Sequence, residues 1–292
     1  MDYLERYLAF MRSQLGDLTG LKFGLDASNG MASLLVRKLF PQATIINDEM
    51  DGSFPAHSPN PLDPAARRQM SELVRREGLD LGVIFDGDAD RCMVVDEKGD
   101  FVQPDYLIPL VVPVKGEKVI HDVRTSRGVI EYIREQGGEP VMVPVGHAFA
   151  KPILRKIGSI GGGELAGHYY FRDFHGCDSG LLAAIRILGE AAKAKREGMT
   201  FSQLMVPIAT RYANSGELNY RVEDKDGAME RIREWFGGEV NDLDGYRMEK
   251  PEGWMSVRKS NTEPYLRLLV EAQSEDLMRE WIRGAEKIIH ES

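Results

Sequence analysis

The chain has 292 residues, 42% of them apolar, and a formal net charge of −9. This length allows two or three compact domains, and the acidic balance excludes a nucleic-acid binder, which needs a basic face. Its apolar runs are too short for a secretion signal or a membrane span. The two cysteines, Cys92 and Cys177, give no support to a disulfide framework or a zinc site, so we expect a cytoplasmic protein.

The first third of the chain alternates helical and strand-like patterns. Residues 1–16 carry apolar side chains at helical spacing and predict an amphipathic helix. The predicted elements that follow are strands at 22–25, 43–46 and 80–85 and helices at 31–40 and 65–77. This βαβαβ order predicts a mostly parallel sheet. The Pro-rich segment 48–64 is too long to be a simple connection.

A second alternating unit follows, and then the pattern changes. The second unit has predicted strands at 118–123, 140–143 and 159–160 and helices at 126–135, 148–157 and 179–196. The last part has predicted strands at 211–222 and 265–272 and helices at 226–236 and 275–290. The predicted fold class is therefore α/β: two related domains with mixed or parallel sheets, then a smaller α+β domain with antiparallel strands. We expect domain boundaries at 1–105, 106–207 and 208–292.

The segment 85–91 crowds three carboxylates directly behind the apolar strand 80–85. Asp86, Asp88 and Asp90 stand at every second position, with Arg91 beside them. Carboxylates this close repel one another, and the usual reason to tolerate that repulsion is a divalent cation. In α/β folds ligands gather at strand ends. The segment therefore predicts a Mg²⁺ site for phosphate chemistry.

Three other interpretations of this segment compete with a Mg²⁺ site. Asp-Gly is common turn chemistry, so that a polar hairpin turn is the simplest of them. An EF-hand calcium loop would take Glu97 as its twelfth residue, but Arg91 stands where that loop requires glycine. The Asp-x-Asp nucleophile of haloacid dehalogenase-like phosphatases would make Asp86 the attacking group, although that motif usually lies nearer the start of its domain.

Further polar segments follow other predicted strands. Residues 161–168, Gly-Gly-Gly-Glu-Leu-Ala-Gly-His, join flexible glycines to one carboxylate and one imidazole, which suits sugar hydroxyls or a plain surface turn. Residues 258–267 carry two arginines, a lysine, two hydroxyls and an amide, a set that suits phosphate oxygens. Arg124 and His147 also follow strands, at the edge that bears ligands.

Taken together, the segments resemble the α-D-phosphohexomutase family of phosphomannomutases and phosphoglucomutases. The order Asp-Gly-Asp-x-Asp-Arg, then Gly-Gly-Glu-x-x-Gly-His, then Arg-x-Ser-Asn-Thr-Glu-Pro-x-Leu-Arg is similar to that family's metal, sugar and phosphate loops. The loop at 51–61 resembles its second-domain loop. The resemblance implies isomerisation of hexose 1-phosphate to hexose 6-phosphate, of glucose or mannose, through a bisphosphate intermediate.

The resemblance also implies roles for individual residues. Asp86, Asp88 and Asp90 would coordinate Mg²⁺, and Arg91 would lie near the transferring phosphoryl group. Glu164 and His168 would hold sugar hydroxyls. Arg124 would line the same cleft with His147, which is a candidate proton-transfer group. The residues that would bind the phosphate that does not react are Arg258, Ser260, Asn261 and Thr262. Arg267 matches the motif as well, with a structural role as the alternative.

The chain departs from the family pattern in two respects. Ala166 replaces a serine of the sugar loop, which removes one hydrogen bond worth roughly 1 kcal/mol. Family members also begin with a domain whose phosphoserine donates the phosphoryl group. His57-Ser58-Pro59-Asn60-Pro61 matches the second-domain loop instead, so we expect domains two to four without the first.

Three functional hypotheses follow. The first is the family's mutase reaction, with this chain inactive or impaired alone because the phosphoserine segment is missing, unless a separate domain supplies it. The second is a sugar-phosphate-binding or scaffold protein without turnover. The third is a phosphatase with Asp86 as its nucleophile. The expected ligands are hexose phosphate and Mg²⁺, with no nucleic-acid or membrane partner.

Overall fold

A computed structural model describes residues 2–260 and 264–291. The first unit forms a five-stranded sheet in the order β2-β1-β3-β4-β5, in which β2, β1 and β3 are parallel and β4 and β5 antiparallel. Its elements are α1 Tyr3–Gln14, β1 Phe23–Asp26, α2 Val36–Leu39, β2 Thr44–Ile46, α3 Pro64–Glu77, β3 Leu81–Phe85, β4 Cys92–Asp96, β5 Phe101–Val102 and α4 Ile108–Val111, with 3₁₀ turns at Met31–Leu34 and Pro104–Leu107.

The second unit repeats this topology. Its sheet has the order β7-β6-β8-β9-β10, again with three parallel strands followed by antiparallel partners. Its elements are β6 Lys118–Asp122, α5 Arg127–Glu135, β7 Glu139–Val143, α6 His147–Ile157, β8 Gly161–Gly163, β9 Tyr169–Phe171, β10 Cys177–Asp178, α7 Gly180–Arg196 and α8 Phe201–Ala209, with a 3₁₀ turn at Arg172–Phe174. Corresponding loops of the two units therefore leave corresponding strand ends.

The third unit is a six-stranded antiparallel sheet in the order β11-β16-β15-β14-β13, with β12 also paired to β16. Its elements are β11 Ala213–Asn214, β12 Leu218–Arg221, α9 Lys225–Phe236, β13 Glu239–Asn241, β14 Tyr246–Lys250, β15 Gly253–Lys259, β16 Tyr265–Ala272 and α10 Glu275–His290. The predicted fold class, two related α/β units followed by an antiparallel α+β unit, is confirmed.

Packing joins the first two units and leaves the third with its own core. One apolar cluster runs from Leu8 on α1 to Ile208 on α8. Helix α7 lies within it, and the alanines of this helix are buried, because small side chains let neighbouring elements approach closely. The third unit closes over a separate cluster in which Phe236 and Trp281 meet edge to face at 4.8 Å. Among the described residues, no helix has the length and apolar character that a membrane crossing requires.

Several predicted elements are wrong in extent. The helix predicted at 31–40 is divided into the 3₁₀ turn and α2, and the strand predicted at 211–222 into β11 and β12. The strand predicted at 159–160 lies instead at Gly161–Gly163. A side chain at Gly162 would place Cβ 1.8 Å from the Ile120 carbonyl oxygen, so that only glycine fits this strand. The prediction also lacked α8 and the strands β13 to β15, although Thr200 and Gln203 form a capping box before α8.

Candidate active site

The acidic triplet lies in the turn between β3 and β4, at the end of the central strand of the first sheet. Asp86 is 2% exposed, and both its oxygens accept hydrogen bonds from Arg91: from the backbone N–H at 3.1 Å and from Nε at 2.7 Å. Asp88 is exposed and Asp90 half-buried. One carboxylate oxygen from each of the three lies within 4.8 Å of the other two. Three convergent carboxylates are the hard oxygen donors that Mg²⁺ prefers.

The environment shifts the pKa values of Asp86 and Asp90 in opposite directions. Burial raises the pKa of Asp86 to about 6, although Arg91 acts in the opposite direction. Burial also acts to raise the pKa of Asp90, but the hydrogen bond and positive charge of His168 outweigh it and lower that pKa to about 2. Asp86 thus takes up a proton at a higher pH than a free aspartate does, because burial disfavours its charge, and a divalent cation would supply a compensating positive charge. The triplet therefore fits a divalent cation.

The backbone around the triplet is fixed by close contacts with neighbouring segments. The N–H of Met31 donates to the Gly87 carbonyl oxygen at 2.9 Å. A Cβ on Gly87 would lie 3.3 Å from both Phe54 and Pro59, so that the loop 51–61 packs directly on the acidic turn. Asn60 of that loop accepts a hydrogen bond from Arg91 Nη1 at 3.3 Å. The loop 51–61, which resembles the family's second-domain loop, thus lies in contact with the acidic turn.

The loop between β8 and β9 brings Glu164 and His168 to the acidic turn. His168 Nε2 lies 3.5 Å from Asp90 Oδ2, and its Nδ1 lies 3.8 Å from Glu164 Oε2. Glu164 is 1% exposed and accepts a hydrogen bond from the Tyr170 hydroxyl. Burial raises the pKa of Glu164, with Asp122 acting in the same direction. The exposed ring of His147 lies edge-on to that of His168, with centroids 6.1 Å apart.

Arg124 connects this loop to the third unit. It is 3% exposed, and its Nη2 lies 2.6 Å from Oδ2 of the buried Asp122 and 4.0 Å from Glu164 Oε2. Its Nη1 donates to Glu217 Oε2 at 3.2 Å, in the segment before β12. Burial opposes the charge of Arg124, but Asp122 and Glu217 outweigh that effect and raise the pKa of the guanidinium. Arg124 is therefore held charged at the junction between two units.

The two arginines of the 258–267 segment face each other across neighbouring strands. Arg258 on β15 pairs in register with Arg267 on β16. Glu217 lies 2.8 Å from Arg267 Nη1 and 3.8 Å from Arg258 Nη2. Arg258 is 3% exposed, and its Nε and Nη1 are buried without a hydrogen-bond partner among the described residues, although Asp244 Oδ2 lies 3.9 Å from Nη1. Burial lowers the pKa of Arg258, and Arg124 lowers it further.

A cleft of about 720 Å³ opens beside this arrangement. Asn60 of the first unit, Arg124 of the second and Arg267 of the third all line it. A larger cleft of about 810 Å³ lies along α4 and α7, but the candidate residues do not line it. All three units thus contribute polar groups to one cleft, which favours a polar, anionic ligand.

The structure brings most of the predicted residues into one chain of contacts. From Asp86 the contacts pass in order through Arg91, Asp90, His168, Glu164 and Arg124. Glu217 then connects Arg124 to Arg258. Ser260 lies beyond the end of β15, where its N–H donates to the Tyr265 carbonyl oxygen. Asn261 and Thr262 lie outside the described residues.

Sequence reasoning missed Glu217, Asp122 and Asp178. Asp122 lies in the strand predicted at 118–123, two residues before Arg124, and this spacing could have indicated the pair. Glu217 sits in an irregular segment with no motif around it, so that only the three-dimensional structure identifies it. Asp178 reaches the histidines because β10 pairs with β9, a pairing that the sequence did not predict.

Three family models match the chain in order. They are described as phosphoglucomutase/phosphomannomutase alpha/beta/alpha domain II over residues 1–99, alpha/beta/alpha domain III over 110–212, and C-terminal domain over 217–284. A phosphomannomutase of Methanocaldococcus jannaschii is 34% identical over 99% of this chain and 66% of its own length. A phosphomannomutase of Escherichia coli K12 is 35% identical over 94% of this chain and 62% of its own length.

The comparison with solved structures gives the same family. A crystal structure of a phosphoglucomutase/phosphomannomutase family protein from Burkholderia thailandensis superimposes with a TM-score of 0.83 at 30% identity. The match covers 98% of this chain and 65% of that one. The chain spans 62–66% of the length of the curated relatives it matches.

Proposed function

The chain belongs to the phosphoglucomutase/phosphomannomutase family, and on that premise we propose that it binds hexose phosphate for the family's phosphoryl transfer. The reaction would convert hexose 1-phosphate of glucose or mannose to hexose 6-phosphate through a bisphosphate intermediate. The observation that carries the proposal is Arg258, whose buried guanidinium has two nitrogens without a hydrogen-bond partner among the described residues. A phosphate oxygen is the acceptor that suits such a group.

The substrate would lie along this chain of contacts, of which Arg124 and Glu217 line the cleft. Arg258 and Ser260 would bind the phosphate that does not react, with Asn261 and Thr262 from the adjoining loop. Glu164 and His168 would hold sugar hydroxyls beside Arg124. His147 is exposed and close to His168, a place from which an imidazole can move a proton to or from a hydroxyl.

The other end of this chain of contacts would hold the reacting phosphoryl group. Asp86, Asp88 and Asp90 would hold Mg²⁺, which neutralises charge on a transferring phosphoryl group when it is bound. Arg91 lies against Asp86 with its side chain 22% exposed, so that it can contact a phosphoryl oxygen without leaving the carboxylate. Both oxygens of Asp86 accept from Arg91, which makes that carboxylate a poor nucleophile and disfavours a phosphatase.

The proposed residues bind and orient substrate, but phosphoryl transfer also needs an in-line donor. By resemblance that donor is the family's phosphoserine, and we propose that turnover requires a segment carrying it in addition to the residues assigned here. Without it the chain would bind sugar phosphate and not isomerise it. We further propose domain boundaries at 1–105, 106–207 and 208–292 and a cytoplasmic location.

A calorimetric titration with glucose 1-phosphate and with mannose 1-phosphate tests the binding proposal. Arg258→Met keeps the apolar stem and removes the guanidinium, and Arg283→Met is its control on an exposed face of α10. A charged hydrogen bond contributes about 1.5–3 kcal/mol, so we expect Arg258→Met to bind at least roughly tenfold more weakly. Equal affinities of the two variants would reject the phosphate site.

A coupled assay tests the need for a phosphoserine. We expect no turnover of glucose 1-phosphate by the 292-residue chain with Mg²⁺ and a trace of glucose 1,6-bisphosphate, although the same sample gives binding heat. Robust turnover by this chain alone would show that its own residues supply the donor.

A further inference from the structure

A second group of potential metal ligands lies beside the sugar loop, apart from the acidic triplet. His147 begins α6, His168 precedes β9 and Asp178 ends β10. One ligand atom from each lies within 4.8 Å of the other two. Two imidazoles and a carboxylate are donors that suit Zn²⁺, whereas Mg²⁺ prefers oxygen ligands. We propose that these three residues form a binding site for Zn²⁺ or a similar transition-metal cation.

Two atoms of this group are buried without a hydrogen bond to any described residue, although Glu164 Oε2 lies 3.8 Å from His168 Nδ1. Asp178 Oδ2 and His168 Nδ1 are inaccessible to solvent and have no hydrogen-bond partner among the described residues. The Asp178 side chain is only 9% exposed, and Lys151 binds its other oxygen, Oδ1, at 2.8 Å. A buried polar atom without a partner costs stability. A cation at this position would bind Asp178 Oδ2, the oxygen that Lys151 leaves free.

The surroundings hold two of the three ligands in place. Asp178 pairs with Tyr170 across β9 and β10, and His168 bridges to Arg91 on the neighbouring turn. Carboxylates also flank the imidazole of His168, because Asp90 lies 3.5 Å from its Nε2 and Glu164 lies 3.8 Å from its Nδ1. A carboxylate beside a ligand histidine orients the ring and raises its basicity, and Zn²⁺ would displace the proton that charges this imidazole.

His147 completes the group from a different element. Its side chain is exposed at the start of α6, so that its ring can turn toward a cation held by the other two residues. A water molecule could take the fourth position, as in zinc sites with three protein ligands. The proposed site thus has two fixed ligands and one that can move.

The site overlaps the proposed sugar contacts. If His147 and His168 contact the hexose, Zn²⁺ bound there would compete with hexose phosphate for these two side chains. This consequence rests on the proposed function, but the binding of Zn²⁺ itself does not.

Calorimetric titration of the chain with Zn²⁺, in a large excess of Mg²⁺, tests the proposed site. We expect one Zn²⁺ per chain and a loss of affinity of roughly tenfold or more in both His147→Ala and Asp178→Asn, because removal of even an outer-shell partner costs that much. His290→Ala, on an exposed turn of α10, is the matched histidine control and should bind as the unmodified chain does. Asp88→Asn should also bind Zn²⁺ normally.

Three results would overturn the proposal. They are no Zn²⁺ binding by the unmodified chain, equal affinities of His147→Ala and His290→Ala, and loss of Zn²⁺ binding in Asp88→Asn. His147 is exposed, so its replacement leaves the fold intact and the test stands even if Asp178→Asn fails to fold. A separate titration with glucose 1-phosphate reports on the proposed function, so the two failures are distinguishable.

Discussion

Glu217 is the carboxylate that lies against three arginines of the candidate site. Its oxygens lie 2.8 Å from Arg267 Nη1, 3.2 Å from Arg124 Nη1 and 3.8 Å from Arg258 Nη2. Glu217→Gln keeps the size and shape of the side chain but removes its charge. Three guanidinium groups would then repel one another with less compensation, so we expect the free energy of unfolding to fall.

Burial sets the size of this effect. Loss of one partner from a buried ion pair costs about 3–5 kcal/mol, whereas a fully exposed pair contributes at most about 1 kcal/mol. The Glu217 side chain is 17% exposed and that of Arg124 3%, so we place the loss between these limits, at about 2–3 kcal/mol. At about 2–4 °C per kcal/mol, the melting temperature should fall by about 4–12 °C.

Inorganic phosphate should restore much of the stability lost in this variant. The anion would supply the negative charge that Glu217→Gln removes, and a ligand that binds only the folded state at 100 times its Kd adds about 2.7 kcal/mol. We therefore expect phosphate to raise the melting temperature of the variant more than that of the unmodified chain.

Thermal unfolding with and without phosphate tests both expectations, with sodium chloride at equal ionic strength as the salt control. Glu223→Gln is the matched variant, because it makes the same substitution at an exposed position of the same unit. Equal melting temperatures of the two variants would contradict the expected role of Glu217, and so would a phosphate stabilisation of Glu217→Gln no larger than that of the unmodified chain.

Three further predictions concern single positions. Burial raises the pKa of Asp105 to about 7; because this lies above the unfolded value, the folded state holds the extra proton and stability falls as pH rises from about 4 to 7, by at most about 1.4 kcal/mol per pH unit. The free energy of unfolding of Asp105→Asn, measured with urea, should change less with pH across this range than that of the unmodified chain. Asp88→Asn should abolish Mg²⁺ binding by calorimetry and change stability by no more than about 0.5 kcal/mol, because Asp88 is exposed. Gly162→Ala places Cβ 1.8 Å from the Ile120 carbonyl oxygen, so we expect a destabilisation of about 3 kcal/mol or more, visible in circular dichroism melts.

The sequence predicted the fold class because its signals there are local. Alternating apolar runs and helical periods predict parallel α/β units without any knowledge of long-range contacts. The acidic triplet was recognisable for the same reason: its carboxylates adjoin in sequence and in space alike. The close approach of their oxygens agrees with the predicted metal site, whose occupancy stays a prediction.

The rest of the site depends on how the units meet. Glu217 lies 93 residues from Arg124 along the chain, and no pattern around either residue indicates the other. The strand at Gly161–Gly163 could not be predicted, because glycine is unfavourable in strands. Only the close approach of the Ile120 carbonyl explains why glycine stands there. Asp178 became a candidate ligand only through the pairing of β10 with β9.

Burial, rather than distance, should decide which ion pairs hold the third unit together. Glu217 and Arg267 are 2.8 Å apart at 17% and 19% exposure, whereas Asp226 and Lys259 are 2.7 Å apart at 80% and 52% exposure. The distances are nearly equal, so that a difference in coupling must come from solvent screening. One double-mutant cycle replaces Glu217 and Arg267 with glutamine, and the other replaces Asp226 with asparagine and Lys259 with glutamine. We expect a coupling energy of about 1–2 kcal/mol for the first pair and of less than about 0.5 kcal/mol for the second. Equal coupling energies would mean that Glu217 acts by packing rather than by charge, and that the stability loss expected for Glu217→Gln is not electrostatic.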